Sequence, residues 1–91
     1  MTTTFDVDIG SGNNLDEVRL LWNAAKTRHG RLIGKLRPIV LKREDRAGNP
    51  DYRLIVGPLG NAAAAARLCA TLGAADVMCS TRSFQGENLT P

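Results

Sequence analysis

The sequence predicts an α+β domain of order βαββαβ, a four-stranded antiparallel sheet with two helices on one face. Three observations predict it. One strand–turn–helix pattern occurs twice: Phe5-Asp-Val-Asp-Ile-Gly-Ser-Gly-Asn-Asn14 aligns with Tyr52-Arg-Leu-Ile-Val-Gly-Pro-Leu-Gly-Asn61 at an offset of 47 positions. The match runs on into the helices, pairing Val18 with Ala65, Leu21 with Leu68 and Ala25 with Leu72. Each unit is followed by a further β-patterned run, and 91 residues make one domain. Two copies in that length fit a pseudo-two-fold domain better than a solenoid. Right-handed crossovers in both halves then put both helices on one side, the ferredoxin-like arrangement. The duplicated strands become central neighbours, and the other sheet face stays open.

The first strand, about Thr3 to Ile9, alternates Phe5, Val7 and Ile9 with Thr4, Asp6 and Asp8, the period of a sheet with one dry face and one wet face. Gly10-Ser-Gly12 ends it. Asn14 is placed to cap the first helix, and Asp16 and Glu17 favour the positive end of its dipole. That helix is expected from Leu15 to His29, with Leu15, Val18, Leu21, Trp22 and Ala25 buried and Gly30 just past its end. The second strand is expected from Leu36 to Arg43, where Pro38, lacking a donor for the ladder, argues for an edge position. Arg43 to Pro50 reads as a polar hairpin loop.

The third strand covers Tyr52 to Val56 and closes at Gly57-Pro58. The second helix, Ala62 to Leu72, is alanine-rich and approaches the sheet through Ala62, Ala65, Cys69 and Leu72, with Gly73 stopping it. The fourth strand is expected from Val77 to Phe84, with Val77, Cys79 and Thr81 toward the helices and Met78, Ser80, Arg82 and Phe84 on the open face. Gln85-Gly86 then turns the chain into a polar tail. The domain accordingly spans 3–89, with residues 1–2 and 90–91 as flexible ends.

Composition excludes several classes. The net charge of +3, without a clustered patch, is too small to argue for nucleic acid. No apolar run approaches the roughly 20 residues of a membrane span, and Met-Thr-Thr-Thr-Phe carries no signal-peptide pattern. Cys69 and Cys79 lie ten residues apart, with the lone His29 distant, so no metal or other cofactor is expected. In the predicted fold the two cysteines face each other from the second helix and the fourth strand. Two readings stand side by side: a disulfide in an oxidising compartment, or two buried thiols acting as small hydrophobes.

The paired units resemble the SPOR domain, the sporulation-related repeat of bacterial cell-envelope proteins. Its members tend to read aromatic-x-Val-Gln-Val-Gly-Ser-Phe in the first half and Tyr-Arg-Val-x-Val-Gly-Pro-Phe in the second. Here these stand as Phe5-Asp-Val-Asp-Ile-Gly-Ser-Gly12 and Tyr52-Arg-Leu-Ile-Val-Gly-Pro-Leu59. The resemblance implies a non-catalytic module that binds peptidoglycan glycan strands, in particular septal strands stripped of stem peptides, on the open sheet face. It further implies a periplasmic domain of a longer, membrane-anchored or exported protein, with other envelope or divisome proteins as further partners and no membrane contact of its own. On that face the residues expected to meet the ligand are Asp6, Asp8, Arg53, Ile55, Met78, Arg82 and Phe84. Arg53 and Arg82 would donate charge-assisted hydrogen bonds, Phe84 would stack on a sugar, and Ile55 with Met78 would form an apolar floor. The departures are Asp8 for the exposed Gln, Gly12 and Leu59 for the motif-ending aromatics, and Ile55 at an exposed position. Asp8 accepts sugar hydroxyls but would repel the lactyl carboxylates of muramic acid.

Other functions of this topology fit the residues less well. An RNA-binding sheet needs stacking aromatics on its central strands, whereas Phe5 and Tyr52 share the inward register. No nucleophile stands beside a base. His29 sits next to Arg28 where a helix is expected to end, Asp6 and Asp8 lack further partners, and Asp16 and Glu17 oppose a phosphate at Gly10-Ser-Gly12. A protein-interaction or dimerisation module using the same sheet is the remaining alternative.

Overall fold

The computed structural model describes residues 3–85, and for Thr3, Phe84 and Gln85 the backbone alone. The expected tail from Gly86 falls outside the described residues. The elements are β1 (Thr3–Gly12), α1 (Leu15–Ile33), β2 (Arg37–Glu44), β3 (Pro50–Leu59), α2 (Ala62–Ala74) and β4 (Ser80–Gln85). The strands form one antiparallel sheet in the order β2-β3-β1-β4. The duplicated strands are therefore the central pair, and β2, which carries Pro38, is an edge. Val7, Ile9, Leu54 and Val56 point from the central strands into a core shared with Val18 and Ala25 of α1 and Ala65, Leu68 and Leu72 of α2.

The internal repeat survives at atomic detail. Asn14 and Asn61 cap the two helices with nearly identical extended backbones, φ/ψ −155/173 and −158/169. Asn14 Oδ1 accepts from Glu17 N–H and Asn61 Oδ1 from Ala64 N–H, satisfying donors that a helix start leaves orphaned. Glu17 Oε1 also accepts from Asn13 N–H, so the turn before α1 spends its donors on its own side chains. Gly10 and Gly57, equivalent in the repeat, both lie where a side chain has no room. A Cβ on Gly10, whose φ is +154, would sit 2.6 Å from Leu21 of α1, and one on Gly57 would sit 2.8 Å from Asp6 Cβ.

Both helices run past the glycines expected to end them. In α1, His29 leaves helical geometry (φ −129, ψ 31), yet the chain resumes the helix and is closed by Gly34 N–H donating to the Gly30 carbonyl. Gly30 has no left-handed backbone. The extra turn delivers Ile33 to the core with 0% of its surface exposed, and that burial outweighs the glycine's preference for a cap. Leu15, expected inside, is exposed. In α2 the helix passes Gly73 and ends in a Schellman motif: Asp76 takes the left-handed position (φ 65), Val77 N–H reaches the Leu72 carbonyl and Asp76 N–H the Gly73 carbonyl. Aspartate tolerates that conformation. Leu68 is buried where Ala62 was expected to be.

Because Val77 is tied back to the helix, β4 begins at Ser80 rather than Val77. The third strand, in contrast, runs on through the cis Gly57-Pro58 bond to Leu59, which pairs with Phe5. Cys69 of α2 and Cys79 just before β4 form a disulfide, so of the two sequence readings the bridge is the one present. It closes a loop of only ten residues' separation. Reducing it, or replacing Cys69 with serine, is expected to cost about 2–3 kcal/mol through the freer unfolded chain. Urea unfolding with and without a dithiol reductant measures this, and coincident midpoints would show that the bridge adds nothing.

Candidate functional site

The helix-free face is assembled from alternate residues of all four strands. Register places Ile39, Ile55, Asp8 and Ser80 in one row across the sheet, with Arg37 opposite Gly57, Leu41 opposite Arg53 and Asp6 opposite Arg82. Two ion pairs dominate the centre and one side. Arg53 grips Asp8 in a bidentate fork, Nε to Oδ2 at 2.8 Å and Nη2 to Oδ1 at 3.0 Å. Arg82 Nε donates to Asp6 Oδ1 at 3.1 Å. Asp8 is 8% exposed, and its Oδ1 also accepts from Gly10 N–H at the irregularity of β1. Three of a carboxylate's roughly four acceptor directions are thereby used.

The Arg53 guanidinium is held above its ordinary value. The side-chain hydrogen bonds to Asp8 are the main cause; burial opposes the shift, and the charges of Asp8 and Asp51 add to it. A raised cation contributes stability below its unfolded value, lost only as the pH rises through the folded one. For an arginine that window lies beyond working conditions, so Arg53 itself introduces no ordinary pH dependence.

Beside these pairs lies a groove of about 550 Å³. Ile55 forms its floor, Pro38, Ile39 and Leu41 of β2 one wall, and Pro58 its end. Arg37, Asp6 and Arg82 bring the polar atoms to its rim. Ile55 is 2% exposed although it stands on the open face, at the middle of the sheet with Ile39 and Asp8 as its cross-strand neighbours. The face is thus a shallow apolar trough bordered by the Asp6–Arg82 ion pair and by Arg37, suited to a flat ligand with alternating apolar and hydroxyl-bearing surfaces.

Of the residues predicted from sequence, Asp6, Asp8, Arg53, Ile55 and Arg82 come together on this face. Their partners differ from expectation: the two arginines meet the two aspartates rather than standing free. Met78 is not on the sheet. It precedes β4, in the segment the Schellman motif pulls toward α2, and is 65% exposed. The side chain of Phe84 lies outside the described residues; its backbone pairs with Thr4. Sequence reading missed the β2 wall and Arg37. The signal was available in the alternation of Arg37, Ile39 and Leu41, which fixes their common face once β2 is paired with β3.

Phe5 and Tyr52 pack against the core, as expected, leaving no aromatic among the described side chains of the open face. His29 stands at the α1 kink beside a smaller cavity of about 290 Å³ that Arg28 and Asp76 also line. Among the described residues no cluster of His, Cys, Asp or Glu could hold a metal, and no helix is long and apolar enough to cross a membrane.

The SPOR domain model matches residues 2–81 of the chain. The chain belongs to the SPOR family. It is a SPOR domain and, as such, a non-catalytic peptidoglycan-binding module of the kind found outside the cytoplasm, a setting with which the Cys69–Cys79 disulfide agrees. Among solved structures it is similar to the peptidoglycan binding domain of the B. subtilis cell wall lytic enzyme CwlC, at 18% identity over 93% of this chain and 94% of that one, with a TM-score of 0.64. At that identity the likeness speaks for the shared fold. A de novo designed protein, Foldit4, is 12% identical over 93% of this chain and 98% of its own, with a TM-score of 0.46. A search of curated proteins finds no match. Within the SPOR frame, the capping pair Asn14/Asn61 starts the two helices, and Gly10 and Gly57 allow Leu21 and Asp6 to approach closely.

Proposed function

We propose that this SPOR domain binds glycan strands stripped of their stem peptides, laid in the groove over Ile55 on the open sheet face. The observation that carries the reading is the trough itself, with apolar walls from Pro38, Ile39, Leu41 and Pro58 beside polar groups on Asp6, Arg37 and Arg82. Sugar rings offer apolar faces to such walls and hydroxyl or N-acetyl groups to such rims. A shallow, open site gives modest affinity. The similar CwlC domain is itself a peptidoglycan binding domain, which supports the ligand class. The bidentate Arg53 pair cancels the repulsion that Asp8 alone would exert on muramic acid carboxylates. We further place the domain in the periplasm, carried by a longer protein that an anchor or export signal directs there, and at the division septum where bare glycan is made.

The test is a titration of the isotopically labelled domain with purified bare glycan strands and with peptide-bearing fragments. Shifts gathered at Ile39, Leu41, Ile55 and Arg82, larger for bare strands, support the reading. Shifts confined to the helices, or none at millimolar sugar, would sink it. Ile39 is 53% exposed, so Ile39→Asp should leave the fold intact while weakening glycan binding about tenfold through loss of its apolar contact.

The exposed β2 edge, with Ile39 and Val40 both accessible, favours self-association through the sheet as a second reading. A mass that rises with concentration and falls on adding glycan would identify it.

A further inference from the structure

We infer that Arg37 is the residue with which this domain tells bare glycan from peptide-bearing glycan, by pairing with the free lactyl carboxylate of muramic acid. The inference rests on the glycan reading above and assigns its specificity to one side chain. Four arginines stand on the open face. Arg43 pairs with Asp51, Arg53 with Asp8 and Asp51, and Arg82 with Asp6. Arg37, among the described residues, has no acidic partner, and it lines the groove.

Among the described residues, the ionisable groups lining the groove are Arg37, Asp6 and Arg82. Asp6 and Arg82 neutralise each other, which leaves the site one net positive charge, on the β2 side. Register sets Arg37 opposite Gly57, which carries no side chain, and both line the trough. The apolar walls of Ile39, Ile55 and Pro58 make that charge count for more than it would in open water.

The ligand chemistry matches this charge. In a peptide-bearing strand the lactyl carboxyl of muramic acid is an amide, joined to the first residue of the stem, and is neutral. Removing the peptide exposes a carboxylate. Bare and decorated strands therefore differ at the sugar by one negative charge with two acceptor oxygens, the group a guanidinium binds through two parallel hydrogen bonds. An apolar trough with no spare cation would hold the sugar rings of both; Arg37 adds preference for one.

The experiment separates this assignment from the reading beneath it. Bare strands are compared with the same strands after their lactyl carboxylates are converted to methylamides, against the wild-type domain, Arg37→Gln, and Arg43→Gln as a control for general charge. The wild type should bind the carboxylate strands about fivefold more tightly than the methylamides, a difference of the size expected for one partly exposed ion pair. Arg37→Gln should bind both strands alike, at the wild-type affinity for the methylamide, while Arg43→Gln keeps the preference. Wild-type binding with a preference that survives in Arg37→Gln, or with no preference at all, overturns the assignment and leaves the glycan reading standing. Absence of wild-type binding to both strands overturns the glycan reading, and the assignment falls with it. An amide spectrum of each variant matching the wild type away from residue 37 or 43 confirms that the folds compared are the same.

Discussion

Replacing Asp8 with alanine is expected to destabilise the domain by about 2–3 kcal/mol, a large fraction of the total for a chain of this size. The substitution removes three hydrogen bonds at once: two from Arg53 and one from the Gly10 amide. It strands the Arg53 guanidinium in the middle of the sheet, where its side chain keeps only 22% of its exposure and its remaining acidic neighbour, Asp51, stands at 3.8 Å. A stranded charge costs more than the pair contributes. The double variant Asp8→Ala/Arg53→Met should therefore recover part of the loss, because a methionine fills the stem's volume without a charge to desolvate. Urea unfolding of the single and double variants measures both effects. If Asp8→Ala were as stable as the wild type, the fork would be an ornament of the surface rather than a fixed part of the sheet.

Ile33→Ala carries the other large effect. Ile33 is fully buried and belongs to the core through the last turn of α1. Truncating it should cost about 2–5 kcal/mol, from lost burial and from the cavity left behind. Leu32, its neighbour in sequence, is 40% exposed, and Leu32→Ala should cost far less. The contrast is a direct test of the helix continuing beyond His29, since a chain that left the helix at Gly30 would treat both residues as linker. Equal, small losses for the two variants would contradict the observed packing.

That helix end illustrates what local pattern could not say. His29-Gly30 looks like a stop because glycine takes a left-handed cap at least cost. Whether it does so depends on what the following residues can reach, and Ile33 reaches the core. The same holds at Gly73, where the helix continues to Ala74 and the left-handed position falls at Asp76, because Val77 can fold back onto Leu72. This shift moved Met78 off the sheet.

The open face was legible by side but not by partner. Strand alternation put Asp6, Asp8, Arg53, Ile55 and Arg82 on one surface, and the structure finds them there. Alternation carries no information on which charges meet across strands, however, since that is set by register, and β1 shifts register between Asp8 and Gly10. The site's apolar wall lies on β2, a strand outside the repeat, and became visible only through its pairing with β3.

The sequence by itself determined the architecture: a duplicated strand–turn–helix unit, two asparagine caps, central strands from the two copies and an edge strand marked by Pro38. These follow from spacing and backbone chemistry that each copy carries locally. The tertiary structure alone decided where the helices end, that Arg53 and Arg82 are spent on Asp8 and Asp6, and that Arg37 remains to face the groove. Those outcomes depend on contacts between residues as much as 76 positions apart, and no local pattern encodes which distant partner a charge will find.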